Sequence, residues 1–457
     1  LPEGEAVHLG GIVLVEAFTP STVASLFGAL DDLPVRRPAE KEERRRELAR
    51  SRGGRRGGWQ NLGSFRPPGA FLGGVGGHDP TLPGSVDSAD LSVSYVTSSL
   101  AVVVAIFVLK EESGDLSPIL RSDHRTRHHR ARVSVQGPLG RLRAHVPWAR
   151  PRRYRAFGNT SGVEDQKRDA CESLIADVED TCARWFYDKF RGRFATVATE
   201  ERPATRVYFT KQTVPNRDRE HWLRPLGLAF AMPLWRSIEN PGWWLSRERW
   251  RLREERNVLV LSARREEAAV RGPGSGDEPE ANWSLIHEFD DQLTGLGVIH
   301  AMDTLLSLYG SRLADLRDMA RVGRRPRRPV RETLTLDRFL VGDGLDAVTI
   351  ASDLELATED LDDFRWGLPE FTEHLDHLPS RSSGRDREAR EYIPFQREAL
   401  RGLAARIAKD VALTTDVIKA SAGLRQTVAS TRLQRITLVL SVVAIILAVV
   451  GLLVVKH

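Results

Sequence analysis

Two histidine pairs are the residues here whose types and spacing come nearest to known chemistry. His124 and His128 stand four apart in His-Arg-Thr-Arg-His. On a helix that spacing puts both imidazoles on one face, as in zinc hydrolases. Those sites also need a glutamate between the histidines as base; here the intervening residues include arginines, which repel a cation. His374 and His377 lie three apart in His-Leu-Asp-His-Leu, near Glu370, Glu373 and Asp376. A carboxylate–histidine metal site is imaginable there, and a charged helix surface accounts for the same residues. Gly73, Gly74, Gly76 and Gly77 follow no predicted strand and lead to no phosphate-binding lysine, and Gly295 and Gly297 sit inside a helical pattern. Neither group reads as a nucleotide fingerprint. No serine occupies a Gly-x-Ser-x-Gly elbow. Cys171 and Cys182 fall on one helical stripe about 16 Å apart, too far to bridge. They read as buried thiols in a reducing compartment. The sequence thus offers no catalytic residue, no metal ligand set and no cofactor motif, and it points away from an enzyme.

A basic segment from Arg121 to Arg155 holds Arg125, Arg127, Arg130, Arg132, Arg150, Arg152 and Arg153, with Trp148 and Tyr154 among them. Arginine with aromatics suits anionic lipid headgroups or nucleic acid. A solvated loop balanced by the acidic stretch Asp353–Asp376 accounts for it as well. A net charge of +5 over 457 residues gives no whole-chain reason for nucleic-acid binding, so a nucleic-acid partner is not expected.

Ile436 to Val455 reads ITLVLSVVAIILAVVGLLVV, without one charge. About 20 apolar residues cross a hydrocarbon core of roughly 30 Å as a helix. Arg432 and Arg435 precede the run, and Lys456 and His457 follow it. The positive-inside rule then places the bulk of the chain in the cytoplasm, on a single-pass C-terminal anchor in the cell membrane. No basic-then-apolar signal peptide is evident at Leu1. A second uncharged stretch, Leu91 to Leu109, alternates in its first half and is valine-rich in its second. It is expected as one or two buried strands, with a second span as the alternative.

These features need elements to position them. Apolar content of 41% and charged content of 28% are those of a folded protein, and the length suits two or three domains. The expected fold is α+β. An α/β-layered domain with a mostly antiparallel sheet covers 1–265, and an irregular Arg/Gly-rich insertion occupies about 36–84. A linker follows at 266–281, then a helical section at 282–390, a stalk helix at 391–435 and the transmembrane helix at 436–455. Gly11–Phe18, Thr205–Thr210 and Asn257–Leu261 read as strands. Thr19 and Pro20 read as the cap and first position of a helix carrying Val23, Leu26, Phe27 and Leu30. Gly162–Phe194 is the clearest amphipathic helix, its stripe running from Cys171 to Phe190. The tryptophans from Trp222 to Trp250 read as core or subunit contacts. Asn282 is expected to cap a helix reaching about Met319, with Asp290 and Asp291 on its polar side. A continuous helix from about Phe395 to Val455 would hold the domain roughly 60 Å from the bilayer. Its heptad-like positions from Leu400 to Val428 suit packing within the chain or self-association.

An α/β domain, a helical section and a long stalk entering the membrane through Ser430, Arg432 and Gln434 resemble the layout of CorA-type divalent cation channels. The likeness covers the layout and the last sixty or so residues. Those channels have two membrane helices joined by Gly-Met-Asn; this chain has one such run and no such tripeptide, so ion conduction does not follow. The leading expectation is a cytosolic binding, sensing or scaffold module on a membrane anchor, with the bilayer as partner and a protein or second copy at the stalk. The alternatives are a channel or transporter subunit of CorA-like layout, and a membrane-tethered enzyme whose site is assembled from distant residues.

Overall fold

The computed structural model describes residues 1–33, 58–68, 76–122, 127–134, 154–161, 163–214, 221–226, 234–247, 257–268, 282–322, 340–359, 370–374 and 389–416, with a few isolated positions besides. It is an α+β fold around a ten-stranded sheet of order β12-β9-β10-β11-β8-β1-β5-β4-β2-β3. Neighbouring strands are antiparallel except β8 with β11 and β2 with β3.

The centre of the sheet follows directly from the apolar runs. Strand β1 (Val7–Phe18) pairs with β5 (Leu100–Leu109), and β5 pairs with β4 (Val86–Thr97). All ten residues of β5 are buried. The stretch Leu91–Leu109 is therefore two adjacent buried strands joined by a tight turn at Ser98 and Ser99, not a membrane span. On its other side β1 pairs with β8 (Ala204–Thr210), which pairs with β11 (Val258–Arg264). The tryptophan-rich stretch supplies β9 (Leu234–Ser237) and β10 (Trp243–Arg247). Trp235, Trp243 and Trp244 are buried there as core residues.

Several expectations are corrected. The supposed irregular insertion contains β2 (Gly58–Arg66) and β3 (Gly76–His78). Gly63, at φ 117°, forms a bulge against β4, so this glycine bends a strand instead of ending one. Helix α1 (Val23–Asp32) starts later than Thr19-Pro20 implies. The Thr19 carbonyl accepts from the Thr22 and Val23 N–H groups, making a turn before the helix. The basic segment is not wholly loop: β6 (Arg127–Ser134) and β7 (Tyr154–Ser161) form a separate antiparallel ribbon. The helical section at 282–390 contributes β12 (Phe371–Glu373), paired with β9.

Helices cover both faces of the sheet. Helix α2 (Val163–Lys189) lies on one face, where its Trp185 meets Phe107 edge-on at 5.6 Å. On the other face lie α3 (Asn282–His287) and the first part of α4 (Asp290–Val322). The expected single helix is thus broken at residues 288–289. Trp243 stacks on Phe289 at this break, with centroids 4.4 Å apart. Close approach requires two glycines. A Cβ at Gly297 would lie 3.0 Å from Val15 Cγ1 and 3.2 Å from Val104 Cγ1, and one at Gly11 would lie 2.7 Å from Ile286 Cδ1. The glycines of Gly295-Leu-Gly297 thus belong to a helix, and Gly297 serves packing.

The chain divides into two compact units. One comprises 1–304 with 357–399; the other comprises 305–356 and the chain from 400 onward. The second unit is helical. It buries Leu305, Leu306, Tyr309 and Leu313 of α4, Ile350 and Leu354 of α5 (Leu345–Ala357), and Leu400, Ala404, Ile407, Val411 and Thr414 of α6 (392–416). The heptad-like side of α6 is therefore buried within the chain up to Thr414; the rest of the expected stalk lies almost wholly outside the described residues. Among the described residues no helix is long and apolar enough to cross a membrane. Ile436–Val455 lies almost wholly outside them.

Candidate functional site

The register of β4 puts Ser88, Asp90, Ser92 and Ser94 on one face. That face is covered by α3 and the start of α4. The Ser92 and Thr294 hydroxyls lie 3.5 Å apart, which fixes α4 over β4. Asp90 and Asp290 are brought into electrostatic range here although about 200 residues separate them in sequence. Burial, then Asp90, then Asp291 push the Asp290 carboxyl up to about 7. A carboxylate in the first turn of a helix ordinarily gains from the helix dipole; here burial and two like charges outweigh that gain. Asp90 is also raised by burial and by Asp87, against the Ser64 hydrogen bond and the positive charges of His287 and Arg66. Arg66 also lies over the Trp283 ring at 5.2 Å, and Trp283 stacks on His287.

This half-buried carboxyl pair is the chemically most distinctive group in the described fold. A carboxyl that holds its proton to about pH 7 can donate or accept one near neutrality. Among the described residues no group of three or more His, Cys, Asp or Glu is placed to hold a metal ion.

The opposite face holds its charges differently. Arg206 of β8 donates to Glu179 Oε2 from Nη2 at 2.9 Å and to Glu172 Oε1 from Nη1 at 2.8 Å, both glutamates on α2. Glu16 of β1 is completely buried. Its Oε1 accepts from the N–H groups of Phe194 (2.6 Å) and Ala17 (2.9 Å), and its Oε2 accepts from Ala195 (2.8 Å). Burial pushes Glu16 up to about 8 against those donors. Glu5, just before β1, accepts from Lys211, Gln212 and Thr213 N–H groups. It is also fully buried; burial raises it, but these donors overcome burial and hold it below the usual carboxylate range. Both glutamates clamp loops.

His300 of α4 forms a third polar node. Its Nε2 lies 3.0 Å from Asn257 Oδ1, which also accepts from Arg247 Nη2 at 2.8 Å. Burial, then Arg247, push His300 down to about 3, so the ring is neutral. A carbonyl oxygen only accepts, which assigns the proton to Nε2. Arg247 also pairs with Asp303 at 3.2 Å.

The sequence-derived candidates are dispersed. Arg127, Arg130 and Arg132 lie on β6; Arg125, Arg150, Arg152, Arg153, Arg432, Arg435 and Lys456 lie outside the described residues. His128 is on a strand, so the i, i+4 helix geometry does not apply to it, and His124 lies outside the described residues. His374 packs edge-on against Trp244, and Glu373 beside it is held by Arg390 at 2.8 Å. His377 lies outside the described residues. Burial first, then Glu172, push the Cys171 thiol up to about 12, and Cys182 is raised further, chiefly by burial. Both are poor nucleophiles. Asp90 escaped the sequence reading because it precedes the apolar run and only the strand register turns it inward. Asp290 was visible only as a polar helix position.

No protein-family model matches the chain, and neither a curated protein nor a solved structure matches it. The likeness to CorA-type channels therefore rests on layout alone.

Proposed function

We propose that this protein is a binding or sensing module held at the cell membrane by a single C-terminal helix, with its α+β unit in the cytoplasm. The observation that carries this reading is the uncharged run Ile436–Val455, bounded by Arg432 and Arg435 before it and Lys456 after it. Each central Leu, Ile or Val favours insertion by about 0.3–0.6 kcal/mol, so the run as a whole partitions strongly into lipid. The arginine bias before it keeps the preceding chain on the cytoplasmic side. The burial of α6 as far as Thr414 supports a short tether, since about twenty residues then separate the folded part from the run. As a helix these span roughly 30 Å, half the stalk expected from sequence.

The test is carbonate-washed membrane fractionation of the full chain beside a chain ending at Thr431. The reading expects the full chain to stay with the membrane and the shortened chain to be released. Release of both, or retention of both, would overturn it.

A further inference from the structure

We infer that Glu111 latches α3 onto the sheet, and that a proton taken up by His8 releases the latch. Glu111 opens the short helical turn Glu111–Gly114, which follows β5. The chain after that turn is fixed to β1: the Leu116 N–H donates to Val7 O at 3.0 Å, and the Val7 N–H donates to Ser117 Oγ at 3.0 Å. Both Glu111 oxygens then accept from groups far away in sequence. Oε1 accepts from the Asn282 N–H at 3.2 Å, and Oε2 accepts from Arg265 Nη2 at 2.6 Å. Arg265 Nη2 also donates to Asn282 Oδ1 at 2.7 Å, and Asn282 Nδ2 donates to Leu109 O at 3.1 Å. Asn282 is the first residue of α3. One carboxylate therefore closes a ring of hydrogen bonds around the start of that helix, where N–H groups have no partner within the helix. A helix of six residues has little stability of its own in water. What holds α3 down is Leu285 and Ile286 beneath it and the Glu111 ring at its start.

His8 of β1 is the trigger. Its Nδ1 is buried and stands 3.7 Å from the same Glu111 Oε2 that Arg265 holds. The charged groups that act on it are Arg265, Asp115 and Glu111. Burial first, then Arg265, hold His8 below the usual histidine value, against the two carboxylates. The latched state thus binds this proton less tightly than a state in which the start of α3 has lifted and His8 meets water. By linkage the latched state is fully favoured above about pH 6.5 and loses ground as the pH falls below it. Every group in the device lies in the unit formed by 1–304 and 357–399, so it does not depend on the membrane anchor.

The experiment is amide hydrogen exchange on the full chain in detergent, at about pH 7.5 and about pH 5.5, on either side of the histidine range. Rates are corrected for the intrinsic effect of pH. The amides of 286–289 report α3, and those of β5 report the sheet. In the native chain 286–289 should exchange several-fold faster at the lower pH while β5 does not change. E111Q should exchange fast at 286–289 at both pH values, and H8Q slowly at both. Slow exchange in E111Q overturns the latch. Fast exchange at both pH values in H8Q, or a pH response that persists in it, overturns the trigger. Should E111Q loosen β5 as well, R265Q removes the same contact from the other side. Loosening confined to 286–289 in R265Q upholds the latch; loosening of β5 in both variants overturns it, because the contact then belongs to the core.

Discussion

The two faces of the sheet give their buried charges different partners. Under α2 the buried charged residues are partnered: Arg206 lies between Glu172 and Glu179, and Glu16 collects backbone N–H donors from the loop after α2. Under α3 and α4, burial first, then the charges of Asp90 and Asp291, let Asp290 hold its proton to about 7. The first face is built for rigidity: removing either member of a pair strands the other in low dielectric. Each face thus retains a carboxyl that holds its proton near neutrality, Glu16 fully buried on the first and Asp290 half-buried on the second.

The strongest way to break this contrast is Arg206→Met. It leaves Glu179 buried without its cation and is expected to cost about 3–5 kcal/mol in urea unfolding. Adding Glu172→Gln and Glu179→Gln should recover part of that loss. A cost below about 1 kcal/mol would mean the charged cluster is dispensable.

Glu16→Gln comes next. At neutral pH burial keeps Glu16 protonated, with its pKa at about 8, and both its oxygens still accept from backbone N–H groups; an amide nitrogen cannot accept, so either amide orientation sets an NH2 donor against another donor. The expected cost is about 2–3 kcal/mol, read as a lowered urea midpoint with an unchanged slope. A neutral outcome would show that the carboxyl is not needed as an acceptor at both oxygens.

Asp290→Asn should act with the opposite sign. The folded state binds the Asp290 proton more tightly than the unfolded chain does, so its stabilising contribution is full below about pH 4. That contribution is lost as the pH rises through about 7. Asparagine removes this penalty. The variant is expected to be more stable than the native chain by about 1–3 kcal/mol at pH 8, less a few tenths for the lost helix-dipole attraction. At pH 4 the two should nearly coincide. Equal stability at both pH values would place Asp290 among ordinary surface carboxylates.

Gly297→Ala should have the smallest effect. The better helix propensity of alanine, about 1 kcal/mol, works against a Cβ that must displace the Val15 and Val104 methyls by a few tenths of an ångström. A net change within about 1 kcal/mol is expected. A larger loss would show that the α4 face yields less than the α2 face does.

How far the fold could be read depended on whether a segment carried its own signal. The valine-rich run at 100–109 and the Cys171–Phe190 stripe carry a local signal: dense valine favours a strand, and apolar residues three and four apart favour a helix. Gly58–Arg66 does not. Its glycines read as breaks, and only pairing with β4 makes it a strand. Phe371–Glu373 is too short to declare itself without β9 beside it.

The sequence by itself determined the central strands, the long helices, the basic segment and the uncharged run at 436–455, since each is a local pattern of hydrophobicity or charge. The tertiary structure alone decided that Asp90 comes within electrostatic range of Asp290 and that Glu16 clamps the loop at 194–195. Those outcomes depend on strand register and on packing between residues far apart in the chain. A one-residue change of register would reverse every one of these facings while leaving the composition of each segment unaltered.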